Sequence, residues 1–176
     1  MVKMANKSIV FGGGCFWCTE AVFELFPGVK NIMPGYAGGK MKGPTYEDVC
    51  TDTTGHAEVV RIEYDDSQIT FDQLLKIFFA MHDPTSLNRQ GADTGTQYRS
   101  IILYNNDDEK RAINAFVNNA QKGYSNKIVT EVKKLDVFYP AEDYHKKYYD
   151  NNPSQAYCNI VIGPKVAKIK KEFGLS

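Results

Sequence analysis

Apolar residues recur along this chain with two different periods. From Ala57 to Tyr64 the period is two: Glu58, Val60, Ile62 and Tyr64 fall on one face of a strand, with Arg61 and Glu63 on the other. After Thr70 the period changes. Phe71, Leu74, Leu75 and Phe78 lie at i, i+3, i+4 and i+7, the stripe of an amphipathic helix, and Thr70 with Gln73 forms a capping box at its start. The same reading predicts strands at Ser8–Phe11, Val29–Tyr36, Tyr98–Tyr104 and Ile128–Phe138. It predicts helices at Cys15–Leu25, stopped by Pro27-Gly28, at Asp107–Lys122, ended by Gly123, at Ala141–Tyr149, and at Pro164–Phe173, with proline in the first position. Strands and helices are interspersed without a strict βα alternation. That points to an α+β fold, a mixed or antiparallel sheet with helices packed on it. The connections Gly35–Thr54 and His82–Gln97 exceed ordinary loop lengths, which marks them as functional or disordered.

Composition narrows the function classes. A chain of 176 residues suits a single domain spanning 1–176 with a substantial core. The 21 basic and 21 acidic residues cancel, so no surplus charge calls for nucleic acid or an anionic membrane. Lys165, Lys168, Lys170 and Lys171 read as a solvated face that compensates a helix dipole. No apolar run approaches the ~18 residues of a membrane span. The start, Met1 to Lys7, is too polar and too short for a signal peptide. A soluble, cytoplasmic monomer is expected.

Four cysteines remain to be explained: Cys15, Cys18, Cys50 and Cys158. In a reducing compartment they are poor candidates for structural disulfides, which leaves packing, metal binding or thiol chemistry. Cys15 follows Gly12-Gly13-Gly14 at the start of a helix. Unpaired amides and the helix dipole there stabilise a thiolate, so its pKa is expected to fall below the free value of about 8.5. The spacing Cys15-Phe16-Trp17-Cys18 suits a thioredoxin-like redox pair, or half of a zinc site completed by other cysteines or a histidine. It also suits a buried, inert thiol beside a packed tryptophan. These residues alone leave the three uses open, and with them a general thiol–disulfide oxidoreductase or a zinc-stabilised interaction domain.

Ordered blocks decide among them. Gly14-Cys15-Phe16-Trp17-Cys18-Thr19-Glu20 resembles the active-site motif of peptide methionine sulfoxide reductases of the A type. Gly35 to Gly39, Pro44 to Cys50, Thr54 to Val59, His82 to Thr85, Arg89 to Ser100, Phe138 to His145 and Tyr157-Cys158 follow in the order of that family. The resemblance implies a two-layer α+β sandwich on a ferredoxin-like core. It implies reduction of the S epimer of methionine sulfoxide, free or in proteins, as repair of oxidative damage, with no metal or organic cofactor and with thioredoxin as reductant.

The resemblance also implies roles. Cys15 is the nucleophile that becomes a sulfenic acid, and Glu58 is the acid that protonates the sulfoxide oxygen. Tyr46 and Tyr98 donate hydrogen bonds to that oxygen, Asp93 lies in the same pocket, and Phe16 and Trp17 wall the S-methyl group. Cys158 occupies the resolving position, in a segment expected to be flexible after Asn151-Asn152-Pro153. Many members carry glycine where this chain has Cys18, so Cys18 competes to resolve Cys15 or relays a disulfide onward. Cys50 is expected to be a packed residue, and His56, His82 and His145 to brace loops. Taken alone, a glutamate such as Glu58 is more commonly a solvated or salt-bridged surface carboxylate, but its place on an apolar stripe predicts a raised pKa.

Overall fold

The computed structural model describes residues 6–176. The residues at the very start, Met1 to Ala5, on which the signal-peptide reading largely rests, lie outside the described residues. Among the described residues eight strands form, β1 Lys7–Gly12, β2 Val29–Ala37, β3 Ala57–Tyr64, β4 Arg89–Gln90, β5 Asp93–Thr94, β6 Ile101–Tyr104, β7 Glu131–Lys134 and β8 Phe138–Pro140. Six helices accompany them, α1 Phe16–Phe23, α2 Tyr46–Cys50, α3 Phe71–Met81, α4 Asp107–Ala120, α5 Tyr148–Asn151 and α6 Gly163–Glu172. Six strands make one mixed sheet in the order β7-β6-β1-β3-β2-β8, and β4 and β5 form a separate small ribbon. The four central strands pair antiparallel, with Ile9 opposite Ile62, Phe11 opposite Ile102 and Tyr36 opposite Glu58. Only the edge pair of β6 and β7 is parallel.

The α+β class expected from the alternating periods is the one that forms. Strand β3 alternates as its sequence requires, but both of its faces are covered. Val60, Ile62 and Tyr64 join the main core, where Ile9 and Phe11 of β1 meet Leu74 and Phe78 of α3. Ala57 and Val59 join Val10, Ala37, Ile101 and Leu103 in a smaller cluster on the far face. Helix α3 is anchored by its capping box: the Thr70 hydroxyl accepts from the Gln73 amide at 3.1 Å and the Gln73 side chain accepts from the Thr70 amide at 2.8 Å. Its buried face carries Leu74, Leu75, Ile77 and Phe78. Each such side chain contributes ~1.5–3 kcal/mol on burial.

Three expected elements change. The strand predicted over Ile128–Phe138 separates into β7 and β8, on opposite edges of the sheet. Leu135 and Phe138 both cover the small cluster on the far face, so the chain crosses the sheet between them. The helix predicted over Ala141–Tyr149 is a 3-10 turn, Asp143–His145, a left-handed Lys147 with φ 51°, and then α5. Contacts to α1 override the local helical preference there. The Lys147 amide donates to Glu20 Oε1 at 2.7 Å, and His145 accepts from the Trp17 indole at 3.0 Å. Tyr98 sits in a 3-10 turn, Thr96–Tyr98, with the strand beginning only at Ile101.

Strand β8 approaches β2 closely because residue 35 is glycine. A Cβ there would lie 2.6 Å from the Tyr139 carbonyl oxygen and would also strike the Phe138 ring. Neither neighbour can yield without breaking the β2–β8 pairing. Gly35→Ala is therefore expected to lose about 1–3 kcal/mol of stability by overpacking. Urea unfolding reads this directly, and an unchanged midpoint would contradict it.

Candidate active site

Strand β1 ends in Gly12 and the chain turns through Gly13 and Gly14 into α1. Gly14 has φ +92°, a conformation L side chains rarely adopt. Cys15 is the N-cap residue, extended at φ −63° and ψ 130°. Its carbonyl accepts from the Cys18 amide at 3.1 Å and the Thr19 amide at 3.4 Å. Its side chain does not cap the helix. A distant carboxylate does so instead: the Phe16 amide donates to Glu58 Oε1 at 3.3 Å. The middle strand of the sheet thus places an acid at the mouth of the helix that carries Cys15.

Glu58 is 1% exposed, and its second oxygen has no hydrogen-bond partner. Burial pushes its pKa up to about 8; the Phe16 amide opposes this and the Asp93 charge adds to it. The carboxyl therefore holds a proton near neutral pH. The Cys15 thiol departs from expectation. Burial pushes it well above its ordinary value, and Glu58, Cys18 and Asp93 push the same way, against the weaker opposing pull of the Trp17 amide. Desolvation outweighs the helix start, so the resting thiol is protonated. Because Glu58 is neutral when it carries its proton, its own share of that penalty vanishes in that state.

Two tyrosines face the same carboxyl. Burial raises the hydroxyl pKa of Tyr46 and of Tyr98, and the nearby Glu58 raises both further, so each remains a neutral donor. Phe16 is fully buried and packs on Tyr36 at 5.8 Å, Tyr46 at 6.5 Å and His145 at 4.9 Å between ring centroids. Trp17 is half-buried and stacks flat on Tyr148 at 3.7 Å. Cys15 lines a cleft of about 770 Å³ together with His82, Asp93, Tyr157, Val161 and Lys165.

The cysteines are all reduced. Cys18 is buried, with Sγ 3.9 Å from the Tyr157 hydroxyl. Cys158 is fully buried in the π-helical turn Cys158–Ile162 that leads into α6, rather than in an open loop. A negative charge on Cys18 would disfavour ionisation of Cys15, and one on Cys158 would disfavour ionisation of Cys18. Cys50, expected to be packed, is exposed beside the Tyr46 hydroxyl. Among the described residues no group of three or more His, Cys, Asp and Glu side chains could hold a metal ion. The histidines brace loops: His56 accepts from the Gly39 amide at 3.0 Å, and His82 Nε2 meets the Ser100 hydroxyl at 2.7 Å.

Sequence reasoning gave no role to several residues that organise the pocket. Glu142 accepts from the Tyr36 hydroxyl at 2.9 Å and the Tyr46 amide at 3.0 Å. Tyr157 donates to Asp93 Oδ2 at 2.6 Å. Their one signal in the sequence is proximity: Glu142 lies in the Phe138–His145 block and Tyr157 adjoins Cys158.

Residues 7–175 match the family described as Peptide methionine sulfoxide reductase. The chain is 56% identical over 162 residues to the peptide methionine sulfoxide reductase MsrA of Saccharolobus solfataricus, covering 92% of each chain. Its fold is similar to that of Mxr1 from Saccharomyces cerevisiae in reduced form, with a TM-score of 0.82, 36% identity, and coverage of 87% of this chain and 89% of the other. The same yeast protein in complex with Trx2 matches at a TM-score of 0.59 and 27% identity, covering 81% of this chain and 84% of that one.

The raised pKa of Glu58 has a sign in stability. The folded state holds this proton more tightly than the unfolded chain. Stability from it is complete below the unfolded carboxyl value and is lost as pH rises through about 8. Relative to Glu58→Gln, the wild type is expected to lose up to about 1.4 kcal/mol per pH unit between those limits. Urea unfolding of both proteins across that range measures it; parallel curves would contradict the assignment.

Proposed function

From the premise that the chain belongs to the peptide methionine sulfoxide reductase family and is an oxidoreductase, we propose that it reduces methionine-S-sulfoxide, free or in proteins, through Cys15. The observation that carries this reading is the buried Glu58 carboxyl held at the helix mouth beside Cys15, with one oxygen on the Phe16 amide and burial raising its pKa. A sulfoxide sulfur becomes electrophilic only as its oxygen gains a proton, and a carboxyl with a raised pKa supplies one near neutral pH.

The steps balance as follows. Cys15 sulfur attacks the sulfoxide sulfur while Glu58 gives its proton to the oxygen. The thiol's own proton replaces it on Glu58. The oxygen ends on Cys15 as a sulfenic acid, the substrate leaves as methionine, and two electrons have passed from Cys15 to the substrate. Tyr46 and Tyr98 donate to the oxygen as its charge develops. Asp93 lies on the same cleft, and the faces of Phe16 and Trp17 receive the methyl group.

The thiol of Cys158 then condenses with the sulfenic acid, forming a disulfide and releasing water. Cys18, close to both, offers an intermediate station for that disulfide. Two external thiols reduce the bridge by exchange. The yeast relative's complex with a thioredoxin supports thioredoxin in that role. No step calls for a metal or organic cofactor.

The remaining readings follow the family. The antiparallel order β6-β1-β3-β2, with α1 after β1 and α3 after β3, supports a ferredoxin-like core within one domain. Among the described residues no helix is long and apolar enough to cross a membrane; a soluble cytoplasmic monomer that repairs oxidative damage is proposed from the family alone.

Turnover of the two epimers of a blocked methionine sulfoxide with dithiothreitol tests the proposal. The S epimer alone is expected to react. Cys15→Ser should abolish turnover, and Glu58→Gln should lower it by about 10²–10⁴-fold. Undiminished activity in Cys15→Ser would sink the proposal. After one turnover without reductant, mass spectrometry should find Cys158 in a disulfide; a Cys15–Cys18 bridge with Cys158 free would remove Cys158 from the scheme.

A further inference from the structure

Resting on the function proposed above, we infer that Arg99 is a positioning residue for the reaction: its guanidinium holds the turn that aims the Tyr98 hydroxyl at the sulfoxide oxygen. One planar group serves four acceptors on separate stretches of chain. Nη1 donates to the Thr96 carbonyl at 2.9 Å. Nη2 donates to the Gly55 carbonyl at 3.0 Å and to the Gly38 carbonyl at 3.4 Å. Nε donates to Glu131 Oε2 at 3.0 Å, which orients the fork. The Arg99 side chain is 13% exposed, so these bonds are largely shielded from water.

The acceptors lie around the site. Thr96 opens the 3-10 turn Thr96–Tyr98 that carries the phenol. Gly55 lies three residues before Glu58, at the entry to β3, and Gly38 directly follows β2. The guanidinium therefore ties the Tyr98 turn to the start of the strand that carries the acid. Asp52 is a second anchor of the turn and accepts from the Thr96 amide at 2.9 Å, but it ties the turn to the segment after α2 instead.

The grip bears on Tyr98 because it closes on both sides of that residue. Before it, the Thr96 carbonyl accepts from the Arg99 amide at 3.2 Å as well as from the fork. After it, Arg99 itself supplies the fork. The Tyr98 carbonyl in turn accepts from the amide of Gly14, the neighbour of Cys15, at 3.2 Å. Tyr98 is thus joined to the nucleophile through its own carbonyl and to the acid's strand through Arg99. A planar fork of five donors suits this task. A lysine ammonium is a point donor on a flexible stem and does not reproduce that geometry. Misplacing a reacting group by about 1 Å costs about 10²-fold in rate, so a donor to a developing charge depends on such support.

A double-mutant cycle on single-turnover methionine release at saturating N-acetylmethionine-S-sulfoxide tests the inference. Tyr98→Phe should lower the rate several-fold. Arg99→Lys keeps the charge but loses the fork, and it should lower the rate by a similar factor in the wild-type background. In the Tyr98→Phe background Arg99→Lys should change the rate less than twofold, because the hydroxyl it aims is gone. A merely structural role would cost the same factor in both backgrounds. In Arg99→Ala, added guanidinium at millimolar concentration should restore the rate several-fold, with no such gain in Tyr98→Phe/Arg99→Ala. If Arg99→Lys does not fold, Glu131→Ala takes its place in the cycle, since it removes only the bond that orients the fork from a side chain that is 41% exposed. Equal losses in the two backgrounds, or no loss in either, would overturn the inference and leave the proposed reaction standing. Absence of wild-type turnover would overturn the reaction and the inference with it.

Discussion

The hydrogen bond from the Phe16 amide to Glu58 joins the first turn of α1 to the middle strand of the sheet. It satisfies one of the amides that every helix start leaves open. It also sets the position of the acid relative to Cys15, one residue before Phe16. Both groups are desolvated, and a charge on Glu58 makes ionisation of Cys15 harder. A buried carboxyl with one oxygen unpaired is a cost to the fold. It persists because the surrounding elements hold Glu58 in place: Tyr36 sits opposite it in register on β2, and Gly12, where β1 ends, lies against its backbone carbonyl.

A second layer locks onto this frame from far along the chain. Glu142 accepts from Tyr36 and from the Tyr46 amide, His145 accepts from Trp17, and Tyr148 stacks on Trp17. Glu20 anchors the left-handed Lys147 by its amide. Burial, and after it the charge of Glu24, holds the Glu20 pKa up to about 8. These contacts are made by side chains rather than by strand pairing. They shape the aromatic walls of the pocket and carry the chain on to Tyr157 and Cys158.

Much of this was legible in the sequence where one physical rule dominated. The period of two in β3 put Glu58 on the face of Val60 and Ile62, and the apolar stripe with its Thr70 box defined α3. Of the residues in the ordered blocks, Glu58 reaches the Phe16 amide and Asp93 borders the Cys15 cleft. The misreadings share a cause. Cys15 was expected to be acidified by its helix start, but the outcome depends on burial by residues distant in sequence. Segment 141–149 has helical composition, yet Glu20 and Trp17 pull it into a turn. Ile128–Phe138 reads as one strand because nothing local reveals that Leu135 and Phe138 cover the far face. Tyr157 is one tyrosine among 11, and only its contact with Asp93 distinguishes it.

The central claim is that Glu58 keeps its proton at neutral pH inside the fold. Infrared difference spectroscopy of the wild type minus Glu58→Gln isolates this carboxyl from Glu20 and all others. The account predicts a protonated-carboxyl carbonyl band at neutral pH that gives way to carboxylate bands as pH rises through about 8. A difference spectrum showing only carboxylate at neutral pH, as an ordinary glutamate with a pKa of about 4.3 would give, would contradict it.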